Sequence, residues 1–167
     1  DLAGFNGIVG IDLAGAQDIT DSVGNALPAG EPATAETYTL DNSAPTQISF
    51  TRQTPATSPT NADTLVFRAT FSETVVNVSV GEFDVNGTTT ATVPLVTPVS
   101  GSVYDITVSG GDLAGFNGVV GLDLAGAQDI TDSLGNALPA GEPATDETYT
   151  VENTATALKS FDRQKPA

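Results

Sequence analysis

The stretch DTLVFRATF, residues 63–71, alternates apolar and polar side chains with a period of two. Alternation of this length is typical of a β-strand that buries one face. The apolar face consists of Leu65, Phe67, Ala69 and Phe71. Shorter stripes with the same period occur at residues 91–95, 103–108, 120–124 and 149–151. The chain is therefore predicted to be built from half-buried strands.

Turn residues separate these stripes, among them Ser72-Glu73, Asn86-Gly87 and Gly110-Gly111. In the stripe formed by Ala91, Val93 and Leu95, the intervening Pro94 predicts an edge strand or a bulge. No segment keeps a period of 3.6 residues, which a helix would require. The predicted fold class is all-β, an antiparallel immunoglobulin-like β-sandwich of seven to eight strands.

Residues 1–56 return as residues 112–167, shifted by 111 positions without insertion or deletion. The first forty residues of the two copies differ at five places, of which four exchange one aliphatic side chain for another. The fifth difference is Ala35 against Asp146. A fixed period with core-conserving exchanges indicates a tandem array. The predicted domains are the C-terminal part of one repeat at residues 1–43, a complete repeat at 44–153 and the first strand of the next at 154–167.

The composition excludes several classes of function. The formal net charge is −16, from 21 acidic and 5 basic residues, so nucleic acid is a poor partner. The chain has no His and no Cys, which removes the usual bases, nucleophiles and zinc ligands as well as disulfides. No apolar stretch approaches the length of a membrane span, which predicts no membrane insertion. We therefore expect no enzyme activity.

Acidic side chains near the joint between repeats predict a Ca²⁺ site, because Ca²⁺ takes about six to eight oxygen ligands. Strand 47–52 leaves the joint and strand 63–71 returns to it, so Glu73 is expected near the linker. The linker carries Asp41 and Asn42, and simple strand alternation would add the loop with Asp1 and Asn6. Further ligands are expected in the long loop at residues 127–146: Asp129, Asp132 and Asn136.

Each of these residues also has a plain structural explanation. Asp41-Asn42 reads equally well as a polar linker, and Glu73 as a solvated turn carboxylate. The loop residues Asp129, Asp132 and Asn136 read equally well as Asx turns. The linker itself is expected to be stiff, because Pro45 restricts the preceding residue to extended conformations. Adjacent repeats should then stand end to end.

Four segments together resemble bacterial immunoglobulin-like repeats, which occur in tandem in large surface proteins and adhesins. They are TLVFRATFSETVVNV at 64–78, GSVYDITVSGGDLAGFNG at 101–118, AQDITDSLGNAL at 127–138 and ETYTVENTA at 147–155. The resemblance covers the whole repeat and both partial copies. It implies an extracellular, cell-surface β-sandwich module that is often stiffened by calcium, and it implies no catalytic activity.

The expected function is therefore that of a structural spacer or shaft whose partners are neighbouring repeats of the same chain. One alternative is a filament subunit, in which strands of neighbouring chains complete unfinished sandwiches. Another is an adhesion module that binds a glycan or a protein through the loop at 127–146. A glycosidase is a distant third, because a near-identical repeat without Trp offers no aromatic platform for a sugar. Its minimum requirement would be two carboxyl groups about 5–10 Å apart in a cleft.

Overall fold

The computed structural model describes residues 2–163. The chain divides into two compact units, Asp1–Ser43 and Ala44–Ala167, which we call the N-terminal unit and the C-terminal unit. Regular structure in the described residues consists of strands and two single-turn 3₁₀ helices, Val80–Glu82 and Leu113–Gly115. The predicted all-β class is confirmed. In this part of the chain no helix has the length and apolar character needed to cross a membrane.

The N-terminal unit contains one antiparallel pair, β1 (Gly7–Val9) and β2 (Tyr38–Leu40), with Ile8 opposite Thr39. The rest of this unit consists of turns and loops, including a bridge between Thr20 and Ala26. None of its described residues is buried.

The C-terminal unit contains ten strands among its described residues, and three of them have only two residues. In chain order these ten are β3 (Gln47–Thr54), β4 (Thr64–Phe71), β5 (Val75–Val76), β6 (Phe83–Gly87), β7 (Thr92–Ser100), β8 (Val103–Ser109), β9 (Gly118–Leu124), β10 (Thr131–Asp132), β11 (Thr145–Asp146) and β12 (Tyr149–Val151). A five-stranded sheet has the order β11-β3-β4-β8-β7, and a three-stranded sheet has the order β12-β9-β6. Strands β5 and β10 form a separate pair. Seven of these ten strands have three or more residues.

The alternation in residues 63–71 does place one face of β4 in the core. Leu65, Phe67 and Ala69 are fully buried, whereas the residues between them are partly exposed. The two larger sheets meet through edge-to-face ring pairs: Phe67 on β4 lies 5.0 Å from Tyr149 on β12. Phe50 on β3 and Phe83 on β6 form a second pair across the sheets. The result is a sandwich-like fold with one apolar core.

Three details differ from the expectations. Leu95 is 53% exposed rather than part of a buried stripe, because β7 is an edge strand whose register shifts between Thr92 and Leu95. The prediction of an edge or bulge at Pro94 is thereby confirmed. The sheet is not purely antiparallel, since β11 runs parallel to β3. Within the expected first strand at residues 154–167, positions 154–163 are not assigned as strand, and 164–167 lie outside the described residues, as does Asp1.

One end of the C-terminal unit receives the chain, and we call it the N-terminal pole. Here Ser72 and Thr46 are joined by two hydrogen bonds. The Ser72 backbone N–H donates to the Thr46 carbonyl oxygen at 2.8 Å, and the Thr46 N–H donates to Ser72 Oγ at 2.9 Å. The turn that carries Glu73 is thus next to the start of β3, as strand alternation predicts.

The chain leaves the C-terminal unit at the opposite end, the C-terminal pole. Residues 145–151 run parallel to the direction of β3 and reach a bridge between Val151 and Thr60. Asn153 then donates to the carbonyl oxygen of Phe116 at 2.8 Å, so the loop after the second 3₁₀ helix lies at this pole. The chain therefore enters and leaves the C-terminal unit on opposite sides.

Candidate functional site: two carboxylate clusters

Two of the predicted ligands come together at the N-terminal pole. Glu73 lies in the turn after β4, and Asp132 lies on β10, which pairs with β5 just beyond that turn. Their carboxylate oxygens lie within 4.8 Å of each other. Two like charges at this separation repel, and a bound cation would relieve that repulsion.

Asp132 is held by its own loop. One carboxylate oxygen accepts the backbone N–H groups of Leu134 and Asn136, both at 2.8 Å, and the other accepts Asn136 Nδ2 at 2.7 Å. These bonds, led by the Asn136 side chain, lower the pKa of Asp132 below its ordinary value. The geometry is that of an Asx turn, which was the structural alternative for this residue. These hydrogen bonds therefore favour the ionised form of Asp132 and orient its carboxylate.

The remaining predicted ligands take different positions. Asp129 is exposed; its backbone N–H donates to Glu82 Oε2 at 2.8 Å, and its carbonyl oxygen accepts Asn77 Nδ2 at 3.3 Å. Asp41 and Asn42 belong to the N-terminal unit. There Asp41 Oδ1 accepts the Ser43 N–H at 2.9 Å, and Asn42 Nδ2 donates to the Phe5 carbonyl oxygen at 2.7 Å.

A second cluster was not predicted. Asp123 on β9, Glu142 in the long loop and Asp146 on β11 each place a carboxylate oxygen within 4.8 Å of the others. Asp123 accepts Asn86 Nδ2 at 3.0 Å, and Glu142 accepts the Leu124 N–H at 3.3 Å. The sequence did not indicate this cluster, because tertiary structure brings β9 and the long loop together. The one available signal was the exchange of Ala35 for Asp146 among otherwise conservative differences.

The electrostatics of this cluster differ from those of Asp132. Partial burial, followed by the charge of Asp123, raises the pKa of both Glu142 and Asp146. Asp84 lies directly opposite Asp123 across β6 and β9 and adds a further negative charge. The two ion pairs of the described residues lie elsewhere, between Arg52 and Glu147 and between Arg68 and Asp105. The cluster thus concentrates negative charge, which favours the binding of protons or of hard cations.

Both arrangements offer oxygen ligands only. Such donor sets suit Ca²⁺ or Mg²⁺ rather than transition metals, which prefer nitrogen or sulfur. Comparison with protein-family models, with curated proteins and with solved structures finds no match for this chain.

Proposed function

We propose that this chain is a structural spacer from an extracellular bacterial adhesin or fibre, in which β-sandwich repeats stand end to end. The observation that carries the proposal is where the chain enters and where it leaves the C-terminal unit. The chain enters beside Thr46 and Ser72 and leaves beside Asn153, at opposite poles. A module with this geometry extends a chain by its full length, whereas ends on one side would fold the array back on itself.

The near-identity of the two copies supports the same function. Forty aligned residues differ at five places, and the exchanges keep side-chain type at four of them. A spacer needs only a repeated core and a repeated joint, so selection on it preserves packing rather than a unique catalytic site. The strongly acidic surface suits this function because it keeps neighbouring chains apart.

The proposal includes Ca²⁺ at the joint between repeats. Glu73 and Asp132 stand at the pole where the chain enters, and Asp41 and Asn42 precede Thr46 by only a few residues of chain. A cation held there would cancel carboxylate repulsion and stiffen the joint. The proposed ligand set also includes Asp129 and Asn136, which lie in the same loop as Asp132.

A thermal melt of the 167-residue chain in EDTA and in millimolar Ca²⁺ tests the joint. Extracellular calcium modules bind at about 10⁻⁴–10⁻³ M. We expect Tm to rise by several degrees in Ca²⁺ and much less in Mg²⁺. Glu73→Gln should remove the rise, whereas Asp63→Asn, the same charge change on an exposed residue before β4, should leave it. Equal melting in EDTA and Ca²⁺ would contradict the calcium joint and leave the spacer geometry standing.

The filament alternative is the second candidate function. It is favoured by one observation: apolar side chains of the N-terminal unit are exposed, including Ile11 at 90% and Tyr38 at 76%. Exposed apolar surface of this extent marks an interaction site.

A further inference from the structure

The N-terminal unit exposes side chains whose counterparts in the second copy form the core. Ile19 is 50% exposed, whereas Ile130 is fully buried, and Tyr38 is 76% exposed, whereas Tyr149 is fully buried. The same contrast holds for four leucines and isoleucines and their counterparts: Leu2 with Leu113, Ile11 with Leu122, Leu13 with Leu124 and Leu27 with Leu138. A groove of about 500 Å³ runs between Leu13, Leu27 and Pro32.

This difference does not come from local conformation. In β1 and β2 the register is Gly7 opposite Leu40, as Gly118 is opposite Val151 in β9 and β12. Gln17 Nε2 donates to the Leu27 carbonyl oxygen at 2.9 Å, and the corresponding bond at Gln128 measures 2.8 Å. The first copy therefore has the local structure of the second and lacks only what covers its apolar face.

Residues 44–111 provide that cover in the second copy. Strand β6 pairs with β9 along its whole length, from Phe83 opposite Leu124 to Gly87 opposite Val120. The Tyr149 ring packs on Phe67 of β4. Because the internal copy shows which surface fits this face, we propose that residues 2–43 bind a polypeptide with the sequence of residues 44–111, the first half of the same repeat. This inference does not depend on the spacer or calcium proposals.

The chain's own first half cannot be that partner. If residues 1–43 replaced residues 112–154 on it, Asn42 would take the place of Asn153 at the C-terminal pole. Asp146 lies opposite Phe50, and the chain from Asp146 to Asn153 continues in the direction of β3. The place of Asn153 is therefore about 30 Å from Gln47 along the strand direction. The five Cα steps from Asn42 to Gln47 span at most about 18 Å.

A second intact copy is also a poor partner. Its residues 44–111 are already covered by its own residues 112–153. If the incoming segment displaced them, one apolar face would be buried and an almost identical face exposed. This exchange leaves the number of completed sandwiches unchanged. It also costs the translational and rotational entropy that two chains lose when they associate. A first half that lacks its own second half gains a full core on binding.

The first experiment adds an isolated polypeptide of residues 44–111 to the full chain and measures complex mass by light scattering and protection by hydrogen exchange. We expect a one-to-one complex with new protection at residues 7–13 and 38–40. Ile19→Asp should weaken binding at least about 100-fold, since its counterpart is fully buried. Val23→Asp is the matched control and should bind normally, since its counterpart Leu134 is 62% exposed in the completed sandwich.

Two further arms keep the result decisive. If the isolated polypeptide aggregates, the same segment is joined directly ahead of Asp1 in one longer chain. With wild-type Ile19, the heat of unfolding of this longer chain should be roughly double that of the original chain. With Ile19→Asp it should not increase in this way. No complex and no added heat would overturn the proposal, as would equal binding by both variants. Self-association of the unmodified chain that Ile19→Asp abolishes would assign the face to a second copy and also overturn it.

Discussion

At the scale of single residues, the two copies show which interactions are purely local. Asp21 accepts the Val23 and Asn25 N–H groups at 3.0 and 2.9 Å, and Asn25 Nδ2 at 2.8 Å. Asp132 makes the same bonds in its own loop. The pKa of Asp21 is also lowered, first by the Asn25 side chain. This motif forms with or without a sandwich around it, so the loop alone positions the Asp132 carboxylate that we propose as a Ca²⁺ ligand.

The cluster of Asp123, Glu142 and Asp146 leads to a prediction with a natural precedent, because the first copy has Ala35 where the second has Asp146. Asp146→Ala should raise Tm at pH 7 in EDTA by about 1–3 °C by removing a repelled charge. The raised pKa of Asp146 means that folding favours the protonated form. Wild-type stability contributed by this group is therefore lost as pH rises from the ordinary value of 3.8 through the raised value.

The Tm difference between Asp146→Ala and wild type should accordingly grow between about pH 4 and pH 7. Melts by circular dichroism across that range measure it. Asp162→Ala removes an equivalent charge from an exposed residue outside the strands and should leave Tm nearly unchanged. A lower Tm for Asp146→Ala at pH 7 would mean that the Asp146 carboxylate stabilises the fold.

At the scale of elements, strand length depends on partners. Strand β1 has three residues and pairs only with β2, whereas its counterpart β9 has seven and pairs with both β12 and β6. The sequences differ only by Ile8/Val119 and Ile11/Leu122. The added length is therefore a consequence of ladder hydrogen bonds to β6, not of local β-propensity.

The turn after β8 provides the element-scale prediction. Gly110 and Gly111 both have positive φ, at 77° and 56°. A Cβ on Gly110 would meet open space, whereas one on Gly111 would overlap the backbone of Thr90. Gly110→Ala should lower the free energy of unfolding by about 1 kcal/mol through φ alone. Gly111→Ala should lower it by at least about 3 kcal/mol, because backbone must move as well.

Urea denaturation of both glycine variants measures these free energies. The two substitutions are chemically identical and adjacent, so their difference isolates the close approach of the 88–91 segment. Equal losses for the two variants would show that this segment yields without a measurable cost.

At the scale of the whole molecule, buried apolar residues among positions 2–163 form a core only in the C-terminal unit. Calorimetry should show a single cooperative transition with an enthalpy of about 80 kcal/mol near 60 °C, the value for residues 44–153. A chain folded throughout its 167 residues would absorb about 115 kcal/mol. Ile130→Asp should abolish the transition, and its counterpart Ile19→Asp should leave it unchanged. A second transition, or heat near the larger value, would contradict this assignment.

Much of the fold was predictable, because strands with one buried face carry an alternation that needs no tertiary information. Leu65 to Phe71, Tyr104 to Val108 and Val120 to Leu124 follow it. The exposure of Leu95 was not predictable, because a bulge on an edge strand shifts the alternation. For the candidate site, turn position indicated Glu73, and the proximity of Glu73 to Asp132 depended on the pairing of β5 with β10.

By itself, the sequence of each copy determined the strand periods, the Asx turns at Asp21 and Asp132, and the register shared by β1–β2 and β9–β12. These features are the same in both copies because hydrogen bonds between residues of one copy form them. Only tertiary structure decided which apolar faces are buried and which carboxylates meet. Ile19 and Ile130 have the same local sequence and opposite exposure, since burial requires residues 44–111 on the other side.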